Sequence, residues 1–159
     1  PGLHVEPLFR EELLLAVPAT HPLADAADPL TPADLDGTEV LCLAEGHCLG
    51  DQVTDWLAGV GGRRRDDFRA SSLEALRNMI SGGAAASLLP ALTVAPPVAE
   101  ASGMVLRRFA VPAPAREIAL VWRTSSPQAD LLAKLAPALV PTDVSDGLVT
   151  PLFRPAIAV

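Results

Sequence analysis

The chain has 159 residues, half of them hydrophobic, 19% charged and 4% aromatic, with a formal net charge of −7. That size and apolar content suit one folded domain with a substantial core and exclude a disordered chain. Twelve Lys and Arg against nineteen Asp and Glu, with no basic stripe, exclude DNA binding by this segment itself, and no apolar run approaches the roughly 20 residues of a membrane span.

Pro1-Gly2-Leu3 lacks an initiator Met and reads as a start within a domain, so a missing signal peptide carries no information. Glu12 to Val17 is a continuous apolar run of strand length, ended by Pro18. Thr31 as N-cap with Pro32 behind it predicts one short helical turn. Glu39 to Leu43 reads as a second apolar strand. From Cys48 to Ala58 the spacing of Leu49, Val53, Trp56 and Leu57 predicts a helix, stopped by Gly59, Gly61 and Gly62. Phe68 to Ala70 reads as a short strand. Ser71 with Glu74 three residues on is a capping-box pattern, opening a helix along Leu73, Leu76, Arg77 and Ile80 that ends at Gly82-Gly83. Ala86 to Leu89 is a further buried strand. After an Ala/Pro-rich stretch, strands are predicted near Met104 to Phe109 and Glu117 to Trp122. A final helix, with Ser126 as N-cap and Pro127 behind it, is expected to carry Leu131, Leu132, Leu135 and Leu139 inward, and the chain beyond Pro141 reads as loop. No internal repeat is present. The alternation predicts an α/β domain with a largely parallel sheet, where ligands sit at helix N-termini beyond strand ends.

Two cysteines, Cys42 and Cys48, are too few for a disulfide scaffold, and their spacing with no second pair does not make a metal site. A reducing compartment fits. Cys48 falls at the start of a predicted helix just past a strand end, where unsatisfied N–H groups and the helix dipole stabilise a thiolate. Only the thiolate attacks an oxidant, although a lone cysteine also serves as a small buried hydrophobe. His47 can donate a hydrogen bond beside it, or merely cap the strand. Asp51 reads as a first-turn dipole partner, and Arg116 as a strand-end charge. Cys42 lies in an apolar strand run, so burial is the simplest reading. A bond to Cys48 would need the two Cα atoms within about 7 Å, through rearrangement of Ala44 to His47. Ser72 and Thr93 are hydroxyls able to line a cleft.

The run from Pro7-Leu8-Phe9 to Leu15-Ala16-Val17, followed by His21-Pro22-Leu23-Ala24, resembles the middle of the effector domain of LysR-type transcriptional regulators. Glu45-Gly46-His47-Cys48-Leu49-Gly50-Asp51-Gln52 is more specific, as are Phe68 to Met79 and Leu88-Leu89-Pro90-Ala91-Leu92. Together they resemble the hydrogen-peroxide-sensing OxyR branch, from about Pro7 to Leu139 with one extra residue near Ser102. The resemblance implies an α/β, periplasmic-binding-protein-like (type II) effector domain. Its two α/β subdomains are joined by crossover strands, here near Leu13 to Val17 and Ile118 to Trp122, with the first subdomain incomplete. In that frame 1–12 end regulatory subdomain I and enter the crossover, and 13–116 form subdomain II with the redox cysteine. Residues 117–140 are the return crossover and C-terminal helix of subdomain I, and 141–159 are the tail.

The same resemblance implies that Cys48 is the peroxide-reacting cysteine, that Asp51 supports it, and that Arg116 polarises the peroxide and stabilises the thiolate. Two positions depart from the pattern. Leu57 stands where the resolving cysteine belongs, nine residues after Cys48, and Gly50 replaces an arginine, weakening the local positive field. The expectation is a one-cysteine sensor whose oxidation stops at sulfenic acid, proceeds to sulfinic acid, or pairs with an outside thiol, with Cys42 as the alternative thiol. Implied partners are hydrogen peroxide as signal, a second copy in a homodimer or tetramer, and DNA through an N-terminal winged helix-turn-helix absent from this chain. RNA polymerase is a further implied contact. No cofactor, metal or membrane is expected, and the location is cytoplasmic. Three readings compete: a regulator binding a small organic effector between its subdomains, a solute-binding protein, and a thiol peroxidase. The last would need a resolving thiol and a recycling partner. Ser87-Leu88-Leu89-Pro90 offers no nucleophile elbow, which argues against hydrolase chemistry.

Overall fold

The computed structural model describes residues 2–95, 103–142 and 147–152. The extra residue near Ser102, most of the Ala/Pro-rich stretch and parts of the tail lie outside the described residues. The chain divides into two compact units, one formed by Pro1–Glu12 with Ala115–Val159 and the other by Leu13–Pro114.

Strand β1 (Leu3–Pro18) is 16 residues long and contributes to both units. In the first unit its N-terminal part pairs antiparallel with β6 (Ala115–Arg123), from Leu3↔Arg123 to Glu12↔Ala115, and with β7 (Val149–Pro151) at Phe9, Arg10 and Glu11. The β1–β6 register slips between Pro7 and Phe9. Proline has no N–H to give the ladder, so an irregularity belongs beside it. His4 and Trp122 stack with ring centroids 4.4 Å apart.

In the second unit the apolar end of β1 pairs antiparallel with β4 (Ser87–Pro90) and with β5 (Met104–Arg107). Leu15, Ala16 and Val17 are fully buried there. Short β2 (Glu39–Val40) and β3 (Arg63–Arg64) pair in parallel, and parallel bridges join Val40 to Ala86, Leu43 to Ala70 and Leu30 to Phe109. Helix α1 (Cys48–Val60) buries Leu49, Val53 and Leu57, while α2 (Leu73–Ser81) buries Leu76 and Ile80. Both present one apolar stripe to a core that includes Val40, Leu41, Leu88 and Leu89. The four-residue α3 (Ala91–Val94) follows β4 directly, and 3₁₀ turns occupy Pro22–Ala24 and Pro32–Leu35. In the second of these turns Asp34 reaches back to the Thr31 N–H at 2.6 Å, completing a capping box.

Several expectations are corrected. The sheet is not largely parallel: every ladder on β1 is antiparallel, and among the described residues parallel pairing is confined to the short β2–β3 ladder and single bridges at Leu30, Val40 and Leu43. Phe68 to Ala70 forms a single bridge rather than a strand, because only Ala70 meets a neighbour in register. The cap of α2 is Ser72, whose hydroxyl accepts from the Ala75 N–H at 3.1 Å, one residue later than the Ser71/Glu74 pattern implied. The final helix, α4 (Ala129–Leu135), has Gln128 as its N-cap and continues as a 3₁₀ turn, Ala136–Leu139. Leu131, Leu135 and Leu139 are exposed rather than inward, because no described element covers that face. The segment beyond Pro141 contributes β7 instead of remaining loop throughout.

Candidate functional site

The chain enters α1 through a short, tethered loop. The Ala44 N–H donates to Ala70 O at 2.9 Å, and the Glu45 carboxylate lies 2.6 Å from Arg69 Nη1. That guanidinium holds the Glu45 carboxyl below its ordinary range. Gly46 turns the chain at φ +90°, a conformation open to glycine at little cost, and His47 follows as N-cap in extended geometry. Cys48 is therefore the first residue of a 13-residue helix, and its thiol is free and exposed. The His47 carbonyl accepts from Gly50 N at 2.8 Å and from Asp51 N at 3.4 Å, whereas the Cys48 and Leu49 N–H groups have no acceptor among the described residues. These unpaired donors lie at the positive end of the helix dipole, beside the sulfur.

His47 and Asp51 are both exposed in the first turn. The His47 side chain makes no cap hydrogen bond, and Asp51 is the acidic residue of that turn. Cys42 is in the opposite environment. It is buried, with Sγ 3.8 Å from Val40 O, and burial raises its thiol pKa, only partly offset by Thr54 and by the charges of Arg64 and Arg69. It lines an apolar void of about 160 Å³ with Leu49, Gly50, Val53 and Leu88, which leaves no room for a water molecule. One cysteine thus stands at the start of α1, open to solvent, and the other is packed beneath the same helix.

Gly50 has a packing role that the sequence did not reveal. A Cβ there would lie 2.9 Å from the Leu43 carbonyl oxygen, so no side chain fits without displacing backbone. Leu57, at the position of the absent resolving thiol, is 1% exposed in the core. Ser72 and Thr93 are both engaged locally, Ser72 as a helix cap and Thr93 Oγ1 donating to Pro90 O at 2.7 Å.

Arg116 belongs to the first unit, on β6. Its Nε donates to Glu11 Oε2 at 2.7 Å; Glu11 is fully buried and the Arg116 side chain one-fifth exposed. Sequence reasoning passed over Glu11, which is 105 residues away and carries no local motif. A separate acidic cleft of about 510 Å³ is lined by His21, Asp34, Asp36 and Glu39. Three of its groups are already employed: His21 Nδ1 accepts from Leu23 N, Asp34 accepts from Thr31 Oγ1, and Glu39 pairs with Arg63 at 3.1 Å; desolvation lowers the His21 pKa. Among the described residues no cluster of three or more His, Cys, Asp or Glu could hold a metal, and no helix is long and apolar enough to cross a membrane.

Residues 1–141 match the LysR substrate binding domain family. The DNA-binding transcriptional dual regulator OxyR of Escherichia coli K12 is 42% identical over 133 residues, which cover 84% of this chain and 43% of that protein. A probable hydrogen peroxide-inducible genes activator of Mycobacterium avium is 39% identical, covering 85% of this chain and 43% of its own length. The chain thus spans less than half the length of these curated relatives. Among solved structures, the reduced form of OxyR superposes with a TM-score of 0.73 at 40% identity, covering 86% of this chain and 63% of that one. A hydrogen-peroxide-bound cysteine mutant of Corynebacterium glutamicum OxyR gives 0.75 at 26% identity, covering 87% and 45%. The fold is therefore that of the type II periplasmic-binding-protein-like regulatory domains.

Proposed function

The chain belongs to the LysR substrate binding domain family, and from that premise we propose that it is the redox-sensing regulatory domain of an OxyR-like transcriptional regulator, answering hydrogen peroxide through Cys48. One observation carries the reading. The exposed thiol of this chain stands at the first residue of α1, beside two backbone donors without acceptors, in a domain 40% identical to the reduced form of OxyR. A thiolate held there attacks one oxygen of hydrogen peroxide. The S–O bond forms as the O–O bond breaks, and hydroxide leaves and takes up a proton to become water. Sulfur loses two electrons and the peroxide gains them, leaving a sulfenic acid.

His47 is the adjacent donor, Asp51 supports the first turn, and Arg116 polarises the peroxide and favours the thiolate. With leucine at position 57 in the core, no second thiol follows on the helix. Return to the thiol then requires two outside thiols, the first forming a mixed disulfide and water, the second releasing Cys48. Such a cycle suits a sensor reset slowly, not an enzyme turning over. A polar sulfenate at the helix start changes the relative stability of two conformations of α1, which is what a switch needs. DNA is bound by a separate domain of the whole protein, a second copy supplies the dimer, and the exposed leucines of α4 suit an apolar contact better than the buried ones of α1. The protein works in the cytoplasm.

Full-length protein on its target promoter provides the test. Stoichiometric peroxide should change the footprint, Cys48→Ser should abolish the change, and Cys42→Ala should leave it intact. A footprint indifferent to peroxide would overturn the proposal in favour of an organic effector.

A further inference from the structure

The loop that delivers Cys48 is fixed at both ends by backbone and in its middle by one ion pair. At its start Ala70 pairs in parallel with Leu43, its N–H donating to Cys42 O at 3.2 Å and its carbonyl accepting from Ala44 N at 2.9 Å. At its end the His47 carbonyl accepts the Gly50 and Asp51 N–H groups, and Gly50 packs so closely on the Leu43 carbonyl that no side chain fits between them. Between these points the backbone has little to hold it. Gly46 turns at φ +90°, and the His47 N–H reaches Ala44 O only at 3.4 Å. Among the described residues, the one side-chain bond made by residues 45–47 runs from Arg69 Nη1 to Glu45 Oε1 at 2.6 Å, across 24 positions of sequence.

With Glu45 86% exposed and Arg69 30% exposed, such a pair adds little to the stability of a fold. It does, however, hold the middle of the arch. The His47 carbonyl is the first acceptor of α1, so a shift of residues 44–47 carries that carbonyl along and frays the turn on which Cys48 stands. Arg69 is a suitable anchor because Ala70 beside it is already in register with Leu43. Its backbone is fixed before the pair forms, which leaves only side-chain freedom to lose.

We propose that Arg69 is a positioning residue for Cys48: by holding Glu45 it fixes the arch 44–47 and, through the His47 carbonyl, the first turn of α1. This rests on the reading that Cys48 is the thiol that meets hydrogen peroxide.

Sign separates this role from a purely electrostatic one. If only the net field mattered, Glu45→Gln would speed the oxidation of Cys48 and Arg69→Gln would slow it. If the arch must be held, both slow it, by the same roughly two- to fivefold that the coupling of an exposed pair allows. The measurement is the second-order rate of Cys48 oxidation by hydrogen peroxide in the intact protein at low salt. We expect equal slowing by the two variants and no further slowing when they are combined. The reversed pair, Glu45→Arg with Arg69→Glu, should recover the rate, which a fold merely disturbed at either residue would not do. Hydrogen peroxide is uncharged, so salt does not screen its encounter with the protein. Raising salt from about 10 mM to about 1 M, which shortens the screening length from about 30 Å to about 3 Å, should therefore slow wild type towards the variants and leave Glu45→Gln unchanged. Effects of opposite sign, or a reversed pair as slow as the single variants, would overturn the proposal. A reactive wild type with variants equally fast removes this role alone, whereas a wild-type Cys48 that peroxide leaves untouched removes the sensor reading and this one with it. Should Arg69→Gln not fold, Glu45→Gln and the salt series decide: a rate at or above wild type, or a wild type indifferent to salt, would overturn the proposal.

Discussion

Alanine at Gly50 and alanine at Gly59 are the same substitution in the same helix, and the structure gives them opposite signs. Within a helix, replacing Gly by Ala is worth up to about 1 kcal/mol from backbone entropy alone. At Gly59 nothing lies within 4 Å of the new Cβ, so that gain should be realised. At Gly50 the new Cβ would sit 2.9 Å from the Leu43 carbonyl oxygen and 3.5 Å from the Leu43 Cβ, in a buried contact where the nearest atom is backbone. Relief requires α1 to lift or the Leu41–Leu43 segment to retreat, and overpacking of this kind costs about 1–3 kcal/mol. Set against the propensity gain, Gly50→Ala should be destabilising by about 1 kcal/mol net, a fall of roughly 2–4 °C in Tm for a domain of this size. Gly59→Ala should raise Tm by a similar step. Urea melts of the two variants provide the assay, with m unchanged for both. Equal stabilisation by the two alanines would refute the close approach of α1 to Leu43. It would also reopen the view that glycine at 50 is merely an arginine lost.

Leu57→Cys restores a thiol nine residues after Cys48, but nine residues of helix separate the two by about 13 Å, far beyond disulfide reach. It should cost roughly 2 kcal/mol through the lost core packing, and any peroxide-driven loss of two hydrogens between the two thiols should be accompanied by reduced far-UV helicity; a bond formed with α1 intact would contradict the helix geometry. Burial lifts the Cys42 thiol pKa in the folded chain, while the unfolded chain keeps an ordinary thiol. The native state therefore binds the proton more tightly, and stability should fall as pH rises past the ordinary thiol range towards the raised native value. Urea melts of wild type and Cys42→Ala at pH 8 and pH 10 check this, the variant losing part of the decline. Ser72→Ala should cost about 1 kcal/mol by uncapping α2, while Ser71→Ala should be near neutral; the reverse order in thermal melts would return the cap to Ser71.

Elements whose information is local were legible in the sequence. Leu49, Val53 and Leu57 repeat at helical spacing, and α1 starts at Cys48 as that spacing predicted, ending only two residues later than Ala58. Strand β1 was visible only from Glu12 onward, because its first half is interrupted by Pro7 and mostly exposed. The cap of α2 was misplaced by one because Ser71 and Ser72 are adjacent candidates, and only the extended backbone at Ser72 selects between them. The inward face of α4 was misjudged because periodicity reports which residues share a side, not whether anything covers it. At the site, Cys48, His47 and Asp51 fall within one helical turn and were readable as a group. Gly50 and Glu11 were not: one depends on how closely α1 approaches Leu43, the other on a partner 105 residues away.

Mass spectrometry of the whole regulatory domain after one equivalent of hydrogen peroxide, with a sulfenic-acid trap present, bears most directly on Cys48 as the sensor. The expected result is a rapid trapped adduct on the Cys48 peptide, none on the Cys42 peptide, and none in Cys48→Ser. Adduct first on Cys42, or no adduct until peroxide is in large excess, would contradict the account.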